Sequence, residues 1–213
     1  MVKTEKGVFV MLLIGICGAS GSGKTTLARE LTEALGCKST VLNQDAYYLD
    51  HPDLSFEERT KLNYDEPGIF DHDLLYTDVC ALLDGQPITK KAYDFAAHRR
   101  ADTDETVQPA PILIVEGIHA FHDPRLLEKM FLRLYVSTDP DICLLRRIRR
   151  DIKARGRHID DITEQYLTTV KPMYERYIRH YVRDADMIVP YDRINPHIVP
   201  ILTGYLQSEL NKQ

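Results

Sequence analysis

Tryptophan is missing from these 213 residues, and cysteine is sparse: Cys17, Cys37, Cys80 and Cys143 stand far apart with no C-x-x-C pair. This spacing argues against both a zinc site and a disulfide framework, and reads as reduced, mostly buried thiols. Long apolar runs are missing too. The longest, Val8 to Cys17, is about half of the ~20 residues a membrane helix needs. No cationic segment with a cleavage site forms a signal peptide, so we expect a cytoplasmic protein with no membrane partner. Positive charge is not in excess either. A formal net charge of −5 and a pI near 5.9 leave no global basic field to hold a nucleic acid polymer. There is no internal repeat, low-complexity tract or obvious linker. With 44% hydrophobic and 28% charged residues the chain has an ordinary globular composition, and its length suits one domain, 1–213, with a large core.

What the chain does carry starts at Gly18. Residues 18 to 25, GASGSGKT, fit G-x-x-x-x-G-K-[ST] at every fixed position. A phosphate-binding loop of this kind wraps backbone N–H groups round the β-phosphate, which assigns Gly18, Ala19, Ser20, Gly21, Ser22, Gly23 and the following Thr26 to nucleotide contact. Lys24 would reach the β- and γ-phosphates, and the Thr25 hydroxyl can hold Mg²⁺. The implied ligand is a nucleoside triphosphate. The context agrees: the apolar VFVMLLIGI leads in, and TTLARELTEAL follows as a helix ending at Gly36.

Apolar, β-rich runs recur at Phe9–Cys17, Thr40–Leu42, Ile112–Val115, Phe131–Val136 and Met187–Val189, separated by helix-like stretches. This alternation predicts an α/β fold with a parallel sheet and helices on both faces. Unbroken hydrophobicity in the first and third runs suits strands buried on both sides. Helical spacing of Leu74, Leu75, Val79, Leu82 and Leu83 before Gly85, and of Ile142, Leu145, Ile148 and Ile152, predicts two core-facing stripes. Tyr47–Asp71 and Gln86–Pro111 are polar, hard to place as core, and read as insertions carrying specificity. Ligands of open α/β sheets lie beyond the carboxyl ends of the strands, where both insertions attach.

Three acidic or basic features accompany the loop. Asp45 closes the second strand, in VLNQDAYY; it could accept a hydroxyl proton or orient Mg²⁺, or it could be an N-cap. Glu116 ends the third apolar run, in ILIVEGIHAF, and resembles a Walker B carboxylate that holds Mg²⁺ directly or through water. Between Arg146 and Arg157, RRIRRDIKARGR has seven basic residues among twelve, with Asp151 the only acid. Arg147 and Arg150 fall on one helix side, and Gly156 breaks the helix so that Arg157 can fold over a ligand. The region 146–165 therefore reads as a lid whose guanidinium groups stabilise a transferring phosphoryl group.

Taken in order, GASGSGKT, NQDAYY, NYDEPGIFD, YDFAAHRR, VEGIHAF, RRIRRDIKARGR and EQYLTTVKPMYE resemble the uridine kinase family of pyrimidine ribonucleoside kinases, within the P-loop phosphoribulokinase/uridine kinase superfamily. The resemblance implies a P-loop sheet with a small β-rich nucleoside-binding insertion at about 86–111 and a helical lid. It implies transfer of the γ-phosphate of ATP or GTP, with Mg²⁺, to the 5′-hydroxyl of uridine or cytidine in pyrimidine salvage. On this pattern Asp45 is the general base close to Mg²⁺, with Tyr48 lining the same pocket. Asp65 grips the ribose hydroxyls with Arg147, and Tyr64 lies near the base. Tyr93, Phe95 and His98 surround the pyrimidine, Arg157 and Gln165 stand near base or phosphates, and Arg150 and Arg155 act with Lys24 on the phosphates. Family members are commonly tetramers inhibited by pyrimidine triphosphates. Two departures stand out: Lys91 and Ala92 precede Tyr93 where the family commonly has a proline two positions ahead, and the stretch after Tyr174 deviates. Phosphoribulokinase is the nearest rival, against which YDFAAH argues. A regulator that binds nucleotide without turnover is the other, against which intact Lys24, Thr25, Asp45 and Glu116 argue.

Overall fold

Side chains alternate across a strand, and the strand entering the phosphate loop uses that alternation to build two cores at once. A computed structural model describes residues 2–4, 7–9, 11–94, 97–193 and 195–212. In chain order they form β1 (Val2–Thr4), β2 (Gly7–Phe9), β3 (Leu12–Gly18), α1 (Lys24–Leu35), β4 (Ser39–Asn43), α2 (Phe56–Thr60), α3 (His72–Leu83), β5 (Ile88–Asp94), β6 (Arg99–Val107) and β7 (Ile112–Gly117). There follow α4 (Pro124–Leu127), β8 (Leu132–Ser137), α5 (Pro140–Arg155), α6 (Ile159–Gln165), α7 (Lys171–Arg176), β9 (Met187–Pro190) and α8 (Ile198–Leu210). A π-helical turn, Tyr166–Val170, joins α6 to α7.

The central sheet runs β4-β7-β3-β8-β9 and every pairing in it is parallel. On one face Leu12, Ile14 and Ile16 pack with Leu27, Ala28 and Leu31 of α1 and Leu202 and Leu206 of α8. On the other, Leu13 and Cys17 join Leu75, Val79 and Leu82 of α3. Both faces are thus covered, as the continuous apolar runs require. Parallel register then brings three chain exits to one edge. Cys17 lies opposite Gly117 and Asn43 opposite Glu116, so the phosphate loop, the turn holding Asp45, and Glu116 emerge side by side.

Three sequence expectations need correction. Phe9–Cys17 is not one strand: Gly7–Phe9 pairs antiparallel with Val2–Thr4, and the sheet strand starts at Leu12, level with Ile112. Hydrophobicity carries no register, so it merged the two. The α3 stripe holds at Leu75, Val79 and Leu82, yet Leu74 is on the surface, and in α5 Leu145 is 52% and Ile152 45% exposed. The buried residues of α5 are instead Cys143, Arg147 and Asp151. Finally, Tyr47–Asp71, hard to place as core from its polarity, contributes to the core at both ends. Tyr47, Tyr48, Ile69 and Phe70 are buried, and Leu49 N–H to Ile69 O (2.8 Å) and Asp71 N–H to Tyr47 O (2.7 Å) pin its two ends together.

The second insertion is the β5–β6 antiparallel hairpin, whose register shifts between Lys91 and Tyr93. An extra residue there twists the strand and re-aims its side chains. Among the described residues no helix is long and apolar enough to cross a membrane.

Candidate active site

Helix α1 begins at Lys24, and among the described residues no side chain caps it. Its first N–H groups therefore point out of the helix without an intrahelical acceptor, which makes that end an anion site. Gly23, the N-cap, has φ 104°, a left-handed value that glycine tolerates. A Cβ there would strike the Tyr191 ring, and one on Gly21 would strike the Cys143 carbonyl oxygen of α5. Gly18, Ala19, Gly21, Ser22 and Gly23 precede the helix and Thr26 stands in its first turn, and none of the six lines the cavity beside it. Ser20, Lys24 and Thr25 do line this cavity of about 590 Å³.

Asp45, Glu116, Tyr48, Tyr64, Asp65, Tyr93, His98, Arg147, Arg150, Arg155, Arg157 and Gln165 line that same cavity. Phe95 lies outside the described residues. Asp45 sits in a 3-10 turn, Gln44–Tyr47, whose cap is Asn43: its side-chain oxygen accepts the Asp45 N–H at 2.9 Å. Asp45 is therefore not the N-cap that position alone also allowed. The Thr25 hydroxyl donates to Glu116 Oε1 at 3.1 Å, while Glu116 Oε2 is buried without a hydrogen-bond partner among the described residues. Burial pushes the Glu116 carboxyl above its ordinary pKa, against the pull of Lys24.

Next to these oxygens is an aromatic enclosure. Tyr48 lies 4.7 Å from Tyr93 and 5.3 Å from Tyr64 between ring centroids, and Tyr64 lies 5.0 Å from His98. His98 adopts φ 51°, an uncommon left-handed conformation that histidine occupies more readily than most side chains. Its pKa is lowered, chiefly by burial and then by the Arg157 and Arg155 guanidinium groups, so it is neutral at pH 7.

Residues 13–196 match the Phosphoribulokinase / Uridine kinase family. Uridine kinase of Latilactobacillus sakei is 45% identical over 201 residues, 94% of this chain and 95% of that one. Uridine kinase of Ligilactobacillus salivarius is 42% identical over 203 residues, 95% of each chain. The chain belongs to the phosphoribulokinase/uridine kinase family. The solved phosphoribulokinase of Rhodobacter spheroides shares the fold, with a TM-score of 0.63 at 15% identity over 86% of this chain and 71% of that one. Membership makes the chain a kinase, with a nucleotide as phosphate donor.

Beside the kinase phosphate loop lies a buried ionic cluster. Asp65 is 5% exposed and its carboxyl is raised by burial, against the pull of Arg147. Arg147 Nη1 is 3.9 Å from Asp65 Oδ1 and donates to Ser20 Oγ at 2.8 Å, while its Nη2 donates to Gln165 Oε1 at 2.9 Å. Arg157 Nη1 donates to the same Gln165 oxygen at 2.5 Å. The region 146–165 is thus the end of α5, a left-handed Gly156 cap at φ 63°, and the short α6.

Sequence reasoning missed the centre of this cluster. Asp151 is fully buried and faces four guanidinium groups: Arg150 Nε at 2.9 Å, Arg155 Nη1 at 3.4 Å, Arg147 Nε at 3.6 Å and Arg157 Nη1 at 3.7 Å. Its being the only acid in that basic run was the available signal. Thr169, 3.4 Å from Asp65 Oδ2, and the cavity-lining Thr60 and Asp161 gave none. Arg146 turns away from the cavity and donates to the carbonyls of Ser22 (3.3 Å) and Tyr191 (2.9 Å).

Proposed function

We propose that this kinase transfers the γ-phosphoryl group of ATP or GTP to the 5′-hydroxyl of uridine or cytidine, giving the monophosphate. The observation that carries this reading is the joining, in one cavity, of the Lys24–Thr25 loop and two carboxylates to an aromatic enclosure with a buried Asp65–Arg147 pair. A ring of tyrosines and a neutral histidine suits a pyrimidine, and a desolvated carboxylate suits ribose hydroxyls. A second sugar phosphate would instead call for more cationic groups at that end. The high identity to proteins named uridine kinase points the same way.

Asp45 takes the 5′-hydroxyl proton as that oxygen attacks phosphorus in line. Lys24, Arg150 and Arg155 neutralise charge on the transferring group, and closure of Arg157 and Gln165 over the cavity excludes water. His98 meets the 4-position of the base, where a neutral imidazole can present either a donor or an acceptor, so both nucleosides are accepted.

Thr25, Asp45 and Glu116 form an all-oxygen donor set that fits Mg²⁺, and the partnerless Glu116 Oε2 is the atom that most needs a cation. Among the described residues no three His, Cys, Asp or Glu side chains could hold a metal, which suits an ion that arrives with the phosphates. Bound Mg²⁺ would supply charge neutralisation across the β- and γ-phosphates. We assign the enzyme to cytoplasmic pyrimidine salvage as a homotetramer, on the family resemblance alone.

A coupled phosphotransfer assay with ATP and Mg²⁺ tests the reading, with uridine, cytidine, deoxyuridine, adenosine and ribulose 5-phosphate in parallel. Activity confined to uridine and cytidine supports it. Activity on ribulose 5-phosphate alone, or silence on all five, overturns it.

A further inference from the structure

His119 has no part in the reaction just outlined, yet its imidazole is 1% exposed and carries hydrogen bonds on both ring nitrogens. Nε2 lies 2.8 Å from the carbonyl oxygen of Asp65. A carbonyl only accepts, so Nε2 carries the proton and Nδ1 is the acceptor. The Tyr181 hydroxyl, 3.0 Å away, therefore donates to Nδ1, and its oxygen receives the Nδ1–H of His122 at 3.1 Å. One main-chain carbonyl and two side chains thus lock one tautomer of His119. Burial pushes its pKa down to about 3, so the arrangement holds across neutral pH.

The main chain of His119 is tied as well. Its N–H donates to Gln44 Oε1 at 2.9 Å, and Gln44 is fully buried directly before Asp45. Gly117 makes room for this bond, since a Cβ there would collide with the Gln44 amide oxygen.

We propose that His119 is a positioning residue for acceptor binding: its ring fixes the main chain at Asp65, its own main chain fixes Gln44 beside Asp45, and one residue so sets the spacing of the two carboxylates. This rests on the reading of Asp65 as the ribose-binding group. A carboxylate displaced by a fraction of an ångström loses its alignment with the ribose while the phosphate loop is untouched.

The test uses the full chain, with initial rates on uridine and 2′-deoxyuridine, and thermal unfolding as a control. His119→Phe keeps an aromatic ring but no nitrogen. It should raise KM for uridine roughly tenfold and lower the ratio of kcat/KM for uridine over deoxyuridine, with KM for ATP unchanged. His119→Gln, which restores an N–H donor, should recover most of both. Unchanged KM and selectivity with a lower Tm would mean a purely structural role and overturn the inference. Should His119→Phe fail to fold, Tyr181→Phe decides: a KM for uridine raised by about threefold supports the inference, and an unchanged one overturns it. Asp65→Ala runs beside them. If it leaves uridine KM and selectivity intact, the ribose reading falls and takes the inference with it. If Asp65→Ala has its effect and the His119 and Tyr181 variants have none, only the inference falls.

Discussion

Arg147→Met would remove a guanidinium of which only 5% of the residue is exposed, in favour of a side chain of similar length with no charge. Two buried carboxylates lose a partner. Asp151 keeps Arg150 at 2.9 Å, whereas Asp65 is left with the Thr169 hydroxyl at 3.4 Å. Breaking a buried pair from one side costs about 3–5 kcal/mol, because the remaining charge has neither water nor counter-ion. In a chain of this size that is roughly 6–20 °C in Tm. The loss has a pH signature. The Asp65 carboxyl is already raised by burial, with Arg147 as the main opposing influence, and without Arg147 it rises further. A group that holds its proton more tightly when folded contributes stability at low pH, which is lost as pH rises above the unfolded-chain value toward the folded one. The variant should therefore be more destabilised, relative to wild type, at pH 8 than at pH 5, and Asp65→Asn added to it should recover part of the loss at pH 8. Urea unfolding at both pH values, on single and double variants, reads all of this. A loss under 1 kcal/mol, or one independent of pH and of Asp65→Asn, would refute the reasoning.

Asp45→Asn should cut kcat by ~10²-fold or more and leave nucleoside binding nearly intact, because only proton acceptance is lost; near-normal turnover in steady-state assays removes Asp45 from that role. Glu116→Gln should shift the Mg²⁺ activation curve to higher concentration by on the order of tenfold, and a curve that does not move would take Glu116 out of metal binding. Because His98 is held neutral by burial and nearby arginines, KM for uridine should stay flat as pH falls from 8 to 6.5 and climb only below that. His98→Tyr should change the cytidine to uridine ratio of kcat/KM; an unchanged ratio means another group reads the base.

The phosphate loop was legible because its chemistry is local: glycines at fixed offsets, a lysine, a threonine, and a helix start contained in nine residues. Glu116 was legible for a similar reason, as a charge directly after an apolar run within its strand. Helix α5 was not. Periodicity found the stripe Ile142, Leu145, Ile148 and Ile152, but the inward face is Cys143, Arg147 and Asp151, spaced i, i+4, i+8. Where a helix borders a polar site, hydrophobicity marks the wrong side, and ion pairing between distant segments decides which side is buried. The burial of Tyr48 and Phe70 was hidden for a related reason. Their stacking at 4.4 Å joins the two ends of a segment whose interior is polar, and no short window sees both. His98 gained its place only from the surrounding segment, since a lone histidine carries no such signal.

The contact between Gly21 and the Cys143 carbonyl makes α5 a ruler. Its early part abuts the phosphate loop and its later part carries Arg147 and Arg150, four and seven residues on. At a rise of 1.5 Å per residue the guanidinium-bearing positions stand about 6 and 10 Å along the axis from that contact. Loop and arginines therefore keep a fixed spacing along this helix, which ends at Gly156. A single residue inserted between Cys143 and Arg147 would add a rise and turn every later side chain by about 100°. The site then tolerates exchange of the exposed Leu145 far better than any change in the helix's length.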